Sequence, residues 1–442
     1  MQVDRPEVSA LEKATMRHVT LRLVPFLMLC YFFALLDRVN VGFASLQMNK
    51  DLGLSAAVFG LGSSLFFVAY FLFEVPSNLA LEKFGARRWI ARIMITWGLV
   101  SACMAFVVGP YSFYGMRLLL GAAEAGFFPG VVLYLTYWLP AAYRARLIAI
   151  FMVSVPVASF IGSPVSALLL ELNGLLGLKG WQWLFILEGL PTVLLGAACL
   201  RVLTDRPETA PWLTPEQRDW LTQRIASDNA KKSASGHLTV WQLVRNPQFL
   251  TMAMICAGAS ATGSALAVWQ PQLLKSFGLT NMQTGFINSV PYGIAAVLMV
   301  MWGRHSDHTG ERRWHTALTL WLIAAALGTL AATQGHLVAT VMLLSCCLIG
   351  AYSFKGPFWA LSSTWMSPKT AAAGLAGINA ISNLVGGGAI SLVGWVKETT
   401  GSFTMGLLPI MLLTFLGGVA VLLLSRQTPA PSAEATPRVS TT

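Results

Sequence analysis

Twelve apolar blocks of roughly 20 residues each run the whole length of this chain, and no other feature constrains its fold as tightly. They cover 22–47, 56–80, 88–108, 111–137, 145–171, 182–203, 248–276, 283–304, 314–334, 337–366, 371–397 and 403–425. A helix of that length crosses a hydrocarbon core of about 30 Å. Only 11% of the 442 residues are charged, where soluble domains carry about 25%. Too few charges remain to keep twelve such helices in water. Gly and Pro interrupt several blocks, which lipid-buried helices tolerate when neighbours satisfy the freed backbone groups. The first block follows about 20 polar residues with no A-x-A-like cleavage site, so it reads as a retained helix and not a signal peptide. The expectation is an all-α integral membrane protein of twelve transmembrane helices, with the lipid bilayer as its first partner.

The net charge of +11 could suggest nucleic acid. Its distribution argues otherwise. With a cytoplasmic N-terminus, 23 of the 30 Lys and Arg fall in inner loops and tails, and only Lys50, Lys179, Lys275 and Lys397 fall outside. That asymmetry is the positive-inside pattern of a cell (inner) membrane protein with both termini cytoplasmic. The six cysteines all fall in apolar blocks without C-x-x-C spacing. They read as small core residues, neither a disulfide framework nor a metal site.

A repeat divides the chain. "NLALEKFGARR" at 78–88 and "GRHSDHTGERR" at 303–313 pair Asn78 with Gly303, Glu82 with Asp307, Gly85 with Gly310, Arg87 with Arg312 and Arg88 with Arg313, all at an offset of 225. An acid, a Gly and a basic pair recurring in equivalent loops imply two six-helix halves. Residues 1–203 then form an N-terminal six-helix bundle and 248–425 a C-terminal one. Between them, 204–247 reads as a polar linker with a short helix, N-capped by Thr214 with Pro215 at N1 and Gln217 at N3, followed by a flexible "KKSASG". The Pro/Ala/Ser/Thr-rich tail 426–442 reads as disordered.

Five ionisable groups interrupt the apolar spans: Asp37 and Arg38 in the first, Arg117 and Glu124 in the fourth, Lys355 in the tenth. Such residues are costly in lipid and usually face a bundle interior along an ion or substrate path. Plainer readings exist, a structural Asp37–Arg38 pair or snorkelling of Arg117 and Lys355. Glu124 reads as mid-helix with no local partner. Arg117 and Glu124 are two turns apart on one face, and the small residues around Glu124 let a neighbouring helix come close. Glu74 and Glu188, near span ends, read as structural. With both acids protonated the five groups leave +3; with both ionised they leave +1. Either state favours an anion. Desolvation favours the neutral form of a carboxylate, and protonating an acid releases its arginine to grip a substrate carboxylate. Proton and organic anion then bind together, which is the physics of symport. Tyr70, Gln270, Trp359, Asn379 and Asn383 are candidate substrate contacts, the two asparagines sharing one helix face.

Other classes lack their signatures. No G-x-x-x-x-G-K-[ST], H-E-x-x-H or G-x-S-x-G occurs. No enzyme, metal or organic cofactor is expected, and the proton gradient is the energy source.

The loop repeat resembles the signature of the major facilitator superfamily. "LDRVNVGFA", "FEVPSNLALEKFGARRW", "RLLLGAAEAGFFPG", "FILEGLP" and "KGPFWAL" resemble its anion:cation symporter family. The resemblance covers nearly the whole chain. It implies two pseudo-symmetric six-helix bundles rocking about a midplane site, with proton-coupled uptake of organic anions such as sugar acids, tartrate or aromatic acids. It implies proton coupling by Asp37 and Glu124, anion binding by Arg38 and Arg117, and substrate contacts from Tyr70, Asn379 and Asn383. It further suggests Lys355 as a second carboxylate ligand, and gating loops at Glu82, Gly85, Arg87 and Arg88 and at Gly303, Asp307, Gly310 and Arg312. Asn78 and Glu82 depart from the usual Gly and Asp, and His308 from the usual Arg or Lys. A monomer is expected. An exporter or exchanger on the same fold is the alternative, and a non-transporting anion sensor a more distant one.

Overall fold

The structure, a computed structural model, describes residues 9–230, 245–333, 335–365 and 371–424. The expected "KKSASG" linker and the tail 426–442 lie outside the described residues. Among the described residues, twelve helical spans are long and apolar enough to cross a membrane. Span 1 is Ala10–Asp51, span 2 Ala56–Phe84, span 3 Ala86–Cys103, and span 4 the pair Pro110–Glu124 and Phe127–Trp138. Spans 5 and 6 are Ala141–Leu170 and Gly180–Val202. After a linker helix, Pro215–Ala230, come span 7 (Pro247–Lys275), span 8 (Asn281–Thr309) and span 9 (Arg313–Ala332). Span 10 is the pair Leu337–Ser353 and Lys355–Trp365, span 11 Ala371–Thr400 and span 12 Phe403–Leu424.

Span 1 starts about a dozen residues before its apolar block, a departure with a clear cause. Ser9 caps it, its hydroxyl accepting from the Glu12 N–H at 3.1 Å, and Glu12 in turn accepts from the Tyr143 hydroxyl at 3.0 Å. His18 and Arg22 then lie against the Trp212 ring, which stacks on Trp138 at 5.1 Å. The polar start of the chain is therefore helical because the segment leading to the linker helix packs on it. The linker helix has the expected reciprocal cap, with Gln217 N–H on Thr214 Oγ1 and Thr214 N–H on Gln217 Oε1.

Span 4 is interrupted immediately beside Glu124, whereas its counterpart, span 10, passes Lys355 unbroken. Span 4 stops at Glu124, Ala125 turns extended, and Gly126 takes φ 84° before the helix resumes. Span 10 runs on through Phe354, which keeps helical angles (φ -56°, ψ -39°) and i→i−4 hydrogen bonds on both sides, so Lys355 sits within a continuous helix. Span 4 alone of this equivalent pair breaks beside its charge, as backbone facing protein or a cavity allows. Glu124 is consequently at a helix end and not mid-helix, a correction to the sequence reading. Among the cysteines, Cys103 is exposed, against expectation, while Cys30, Cys199, Cys256 and Cys347 are buried.

Alternate crossings bring the 2–3 and 8–9 turns to one end of the bundle, here the loop end; Lys50, Lys275 and Lys397 mark the far end. The halves meet through span 1 on span 7, span 2 on span 11 and span 5 on span 8. Their tight contacts fall toward the far end. Gly60 and Gly394 pack backbone to backbone, and a side chain on Gly42 would come within 2.7 Å of the Ala267 carbonyl oxygen. The Ser64 hydroxyl bridges to Gly387 and Ser391 across the same seam, and the Asn288 amide donates to Ser163 at 2.8 Å. This end is sealed.

Candidate functional site

Below the seal, between the halves, lies a cavity of about 250 Å³. Its wall carries eight residues singled out from the sequence: Asp37, Arg38, Tyr70, Arg117, Lys355, Trp359, Asn379 and Asn383. Three cations converge here, two from the first six spans and one from the last six. The asparagines, four apart, do present a common face.

The pair at residues 37–38 divides its labour. Arg38 turns away from Asp37 and reaches span 4, where its Nε and Nη2 both contact Glu124 Oε1, at 2.8 and 2.6 Å. Glu124 thus has a partner, which the sequence could not disclose because the two lie 86 residues apart. The Arg38 side chain keeps 35% of its surface open while Glu124 keeps 2%. One face of the guanidinium therefore remains available to the cavity. Its charge also lies over the Tyr70 ring, at 5.3 Å.

Asp37 points into the first half. Its Oδ1 accepts from Asn40 Nδ2 at 3.0 Å and from the Ser101 hydroxyl at 2.8 Å. Oδ2 is buried and has no hydrogen-bond partner. Glu188 lies close by, its Oε1 accepting from Ser166 at 2.8 Å and its Oε2 likewise unpartnered. Neither of these two buried carboxyl groups forms an ion pair among the described residues.

Arg117 is almost fully buried; its guanidinium donates to the Ser63 carbonyl at 3.4 Å and lies 4.9 Å from the Phe66 ring. Lys355 lies 5.1 Å from the Tyr352 ring. Neither has a carboxylate within ion-pair distance among the described residues. Arg117 and Lys355 are thus cations with no ion-pair partner among the described residues, though Asp37 and Glu74 share the same wall.

Gln270 is placed elsewhere. It is fully buried behind the wall, its amide directed to the Asn288 carbonyl at 3.5 Å, so its expected place in the substrate wall does not hold. Other residues take that wall instead: Tyr31, Ser159, Ser260, Ser264 and Glu74. Ser260 and Ser264 repeat the four-residue spacing of Asn379 and Asn383, a signal the sequence did contain. Glu188, set aside as structural, shares its surroundings with Asp37, and no local spacing announces that contact.

The two repeat loops both place a glycine at positive φ but turn and are braced differently. Gly85 combines φ 88° with ψ 143°, while Gly310, at φ 68° and ψ -2°, is left-handed, so each position favours glycine for its own backbone reason. At the first turn Asp205, not Glu82, does the bracing: its Oδ1 accepts the Arg87 N–H at 2.8 Å. Glu82 and Arg88 are exposed there. At the second turn Arg312 pairs with Asp307 at 2.7 Å and donates to Ser306 at 3.0 Å. Gly303 faces open space, and His308 is exposed. Glu311 caps span 9 through the Trp314 and His315 N–H groups. Partial burial pushes its carboxyl upward, but those hydrogen bonds outweigh it and hold the group below the ordinary carboxylate range.

Twelve spans enclosing a cation-lined midplane cavity, sealed at one end, define a membrane transporter. The chain belongs to the Major Facilitator Superfamily, whose family model matches residues 27–392; this is a transporter family and not an enzyme family. It is 49% identical over 430 residues to an Agrobacterium vitis protein named "Putative tartrate transporter", covering 97% of this chain and 99% of that one. It is 38% identical to the "Quinolone resistance transporter" of Acinetobacter baumannii, covering 90% and 91%. In fold it is similar to a bacterial homologue of the human lysosomal transporter Spinster in an inward-facing, occupied conformation, with TM-score 0.74 at 16% identity, covering 92% of this chain and 97% of that one.

Proposed function

We propose that this protein is a proton-coupled importer of a small organic carboxylate, tartrate first among the candidates, working by alternating access. The carrying observation is that Arg38 is held by the buried Glu124 at the wall of a cavity where Arg117 and Lys355 have no ion-pair partner among the described residues. Protonating Glu124 frees Arg38, and a substrate carboxylate then satisfies it through charge-assisted hydrogen bonds. Proton and anion thus favour one another's binding, which is a coupling free energy in the strict sense. Asp37 is the second proton site, with Glu188 beside it. Arg117 and Lys355 hold the distal end of the substrate, while Tyr70, Trp359, Asn379 and Asn383 shape the wall. The turns at Gly85 and Gly310 brace the loop-end gate. No cofactor takes part.

On this reading the loop end is cytoplasmic, following the positive-inside distribution. The protein lies in the inner membrane as a monomer, and 204–247 links bundles 1–203 and 248–425. The far-end seal then makes the present conformation inward-facing. The name of the Agrobacterium vitis relative supports the substrate class.

The test is uptake of labelled tartrate and a panel of other carboxylates into proteoliposomes, with and without an inward proton gradient. Gradient-driven accumulation is expected. Its absence for every organic anion overturns the proposal. A second reading, export, is favoured by the likeness to the quinolone resistance transporter; drug efflux from inverted vesicles without carboxylate uptake would select it.

A further inference from the structure

A second concavity, a basin of about 760 Å³, opens at the far end of the bundle. It is lined by Lys50, Lys275 and Lys397, three of only four basic residues that the sequence places on this side. Positive-inside sorting works against lysines here, so their gathering around one depression asks for a cause. No Asp or Glu lines the basin among the described residues. The nearby far-end acids are engaged elsewhere. Asp51 accepts from the Trp181 indole N–H at 3.0 Å, and Glu398 accepts from the Ala57 N–H at 2.7 Å.

The lysines themselves meet neutral partners. Lys275 donates to the Asn281 side-chain oxygen at 2.9 Å, and Lys397 to Gln272 Oε1 at 3.3 Å with its ammonium 3.8 Å from the Phe403 ring centre. None of the three is in an ion pair among the described residues. Their charges add around one concave depression, which focuses the field on whatever anion enters.

The floor of this basin is the roof of the central cavity. Ser45 and Gln272 both line the basin and are joined by a 2.7 Å hydrogen bond between spans 1 and 7. About one helical turn further in, Gly42 faces the carbonyls of Ala267 and Val268, two residues that line the central cavity. Lys397 is bonded to the same Gln272 that closes the floor.

The geometry points to a second anion site: the basin collects a small dicarboxylate on Lys50, Lys275 and Lys397, over the Ser45–Gln272 floor, before the seal parts. The inference rests on the carboxylate reading of the central cavity, and its test is separate from transport. Ser402, on the basin wall, is replaced by cysteine in the full chain, reconstituted in neutral lipid. Its reaction with an anionic methanethiosulfonate is compared with that of a cationic one, and the protein without Ser402→Cys corrects for the exposed Cys103. The anionic reagent should be favoured about 10-fold more with the lysines present than after Lys50→Gln, Lys275→Gln and Lys397→Gln together. Tartrate should slow the anionic reagent only where the lysines remain. Should the triple variant fail to fold, each single change should remove part of the preference, and the triple Lys→Arg variant should keep it.

An unchanged reagent preference, or no protection by tartrate, overturns the site. Protection that appears only when anionic phosphatidylglycerol is added, and not with tartrate, also overturns it by assigning the basin to a lipid headgroup. An intact tartrate-protected basin in a protein that shows no carboxylate uptake would overturn the central reading and leave this one standing.

Discussion

Arg38 of span 1 and Glu124 at the broken end of span 4 are joined through a single oxygen: the Arg38 Nε and Nη2 both meet Glu124 Oε1, at 2.8 and 2.6 Å. On the proposed mechanism this pair has two states: the acid ionised and holding the arginine, or protonated with the arginine turned to the cavity. Removing one partner of a buried pair leaves the other charge uncompensated, so the informative variants keep the side chain's shape and hydrogen-bonding atoms.

Glu124→Gln is expected to retain substrate exchange and to lose accumulation driven by a pH gradient. The amide still accepts a hydrogen bond from Arg38 but cannot cycle a proton. Counterflow and gradient-driven uptake in the same proteoliposome preparation separate the two activities. Retained accumulation would remove Glu124 from the coupling role.

Arg38→Lys should raise KM for the carboxylate by roughly 10-fold, about 1.4 kcal/mol. A lysine ammonium is a compact point charge and cannot present two fixed donors at once. Saturation curves for tartrate uptake read this directly, and an unaltered KM would make Arg38 structural.

Gln270→Ala and Asn383→Ala should differ. Asn383 lines the central cavity while Gln270 is buried behind it on the Asn288 carbonyl. Asn383→Ala is expected to raise KM severalfold, by about 1 kcal/mol for one lost hydrogen bond, with Gln270→Ala changing protein stability and not KM. The reverse pattern in uptake assays would return Gln270 to the substrate wall.

That contrast shows where the sequence is readable. Hydropathy of period and length places twelve spans because each block must satisfy the bilayer on its own, without reference to its neighbours. The repeated loops are equally legible, since Gly85 and Gly310 are fixed by their own backbone angles. The cost of charge in lipid likewise marks Asp37, Arg38, Arg117, Glu124 and Lys355. Which charge meets which is decided by helix rotation and by the break at Ala125–Gly126, both tertiary outcomes. Hence the Arg38–Glu124 bond, the companionship of Glu188 with Asp37, and the withdrawal of Gln270 all escaped a reading by spacing.

At the turns, Gly85→Ala should destabilise more than Gly310→Ala. Gly310 is left-handed and open to solvent, so an added Cβ costs about 1 kcal/mol of backbone strain. Gly85 combines φ 88° and ψ 143° with an Asp205 Oδ1 only 3.0 Å from the new carbon, in a region where strain reaches about 1–3 kcal/mol. Thermal unfolding in detergent at a fixed scan rate ranks the two, and a lower midpoint for Gly310→Ala would contradict the assignment.

Gly42→Val tests the far-end seal. The valine has nowhere to go while Gly42 lies against the Ala267 and Val268 carbonyls, and overpacking of this kind costs about 1–3 kcal/mol. That penalty falls on the sealed conformation and is relieved when spans 1 and 7 separate. The balance should therefore move toward far-end opening by roughly tenfold or more. A cysteine introduced just below the seal, Ala267→Cys, should then react severalfold faster with a membrane-impermeant thiol reagent added from the far side. Equal rates in the two backgrounds would mean that the Gly42 contact does not hold the bundle shut.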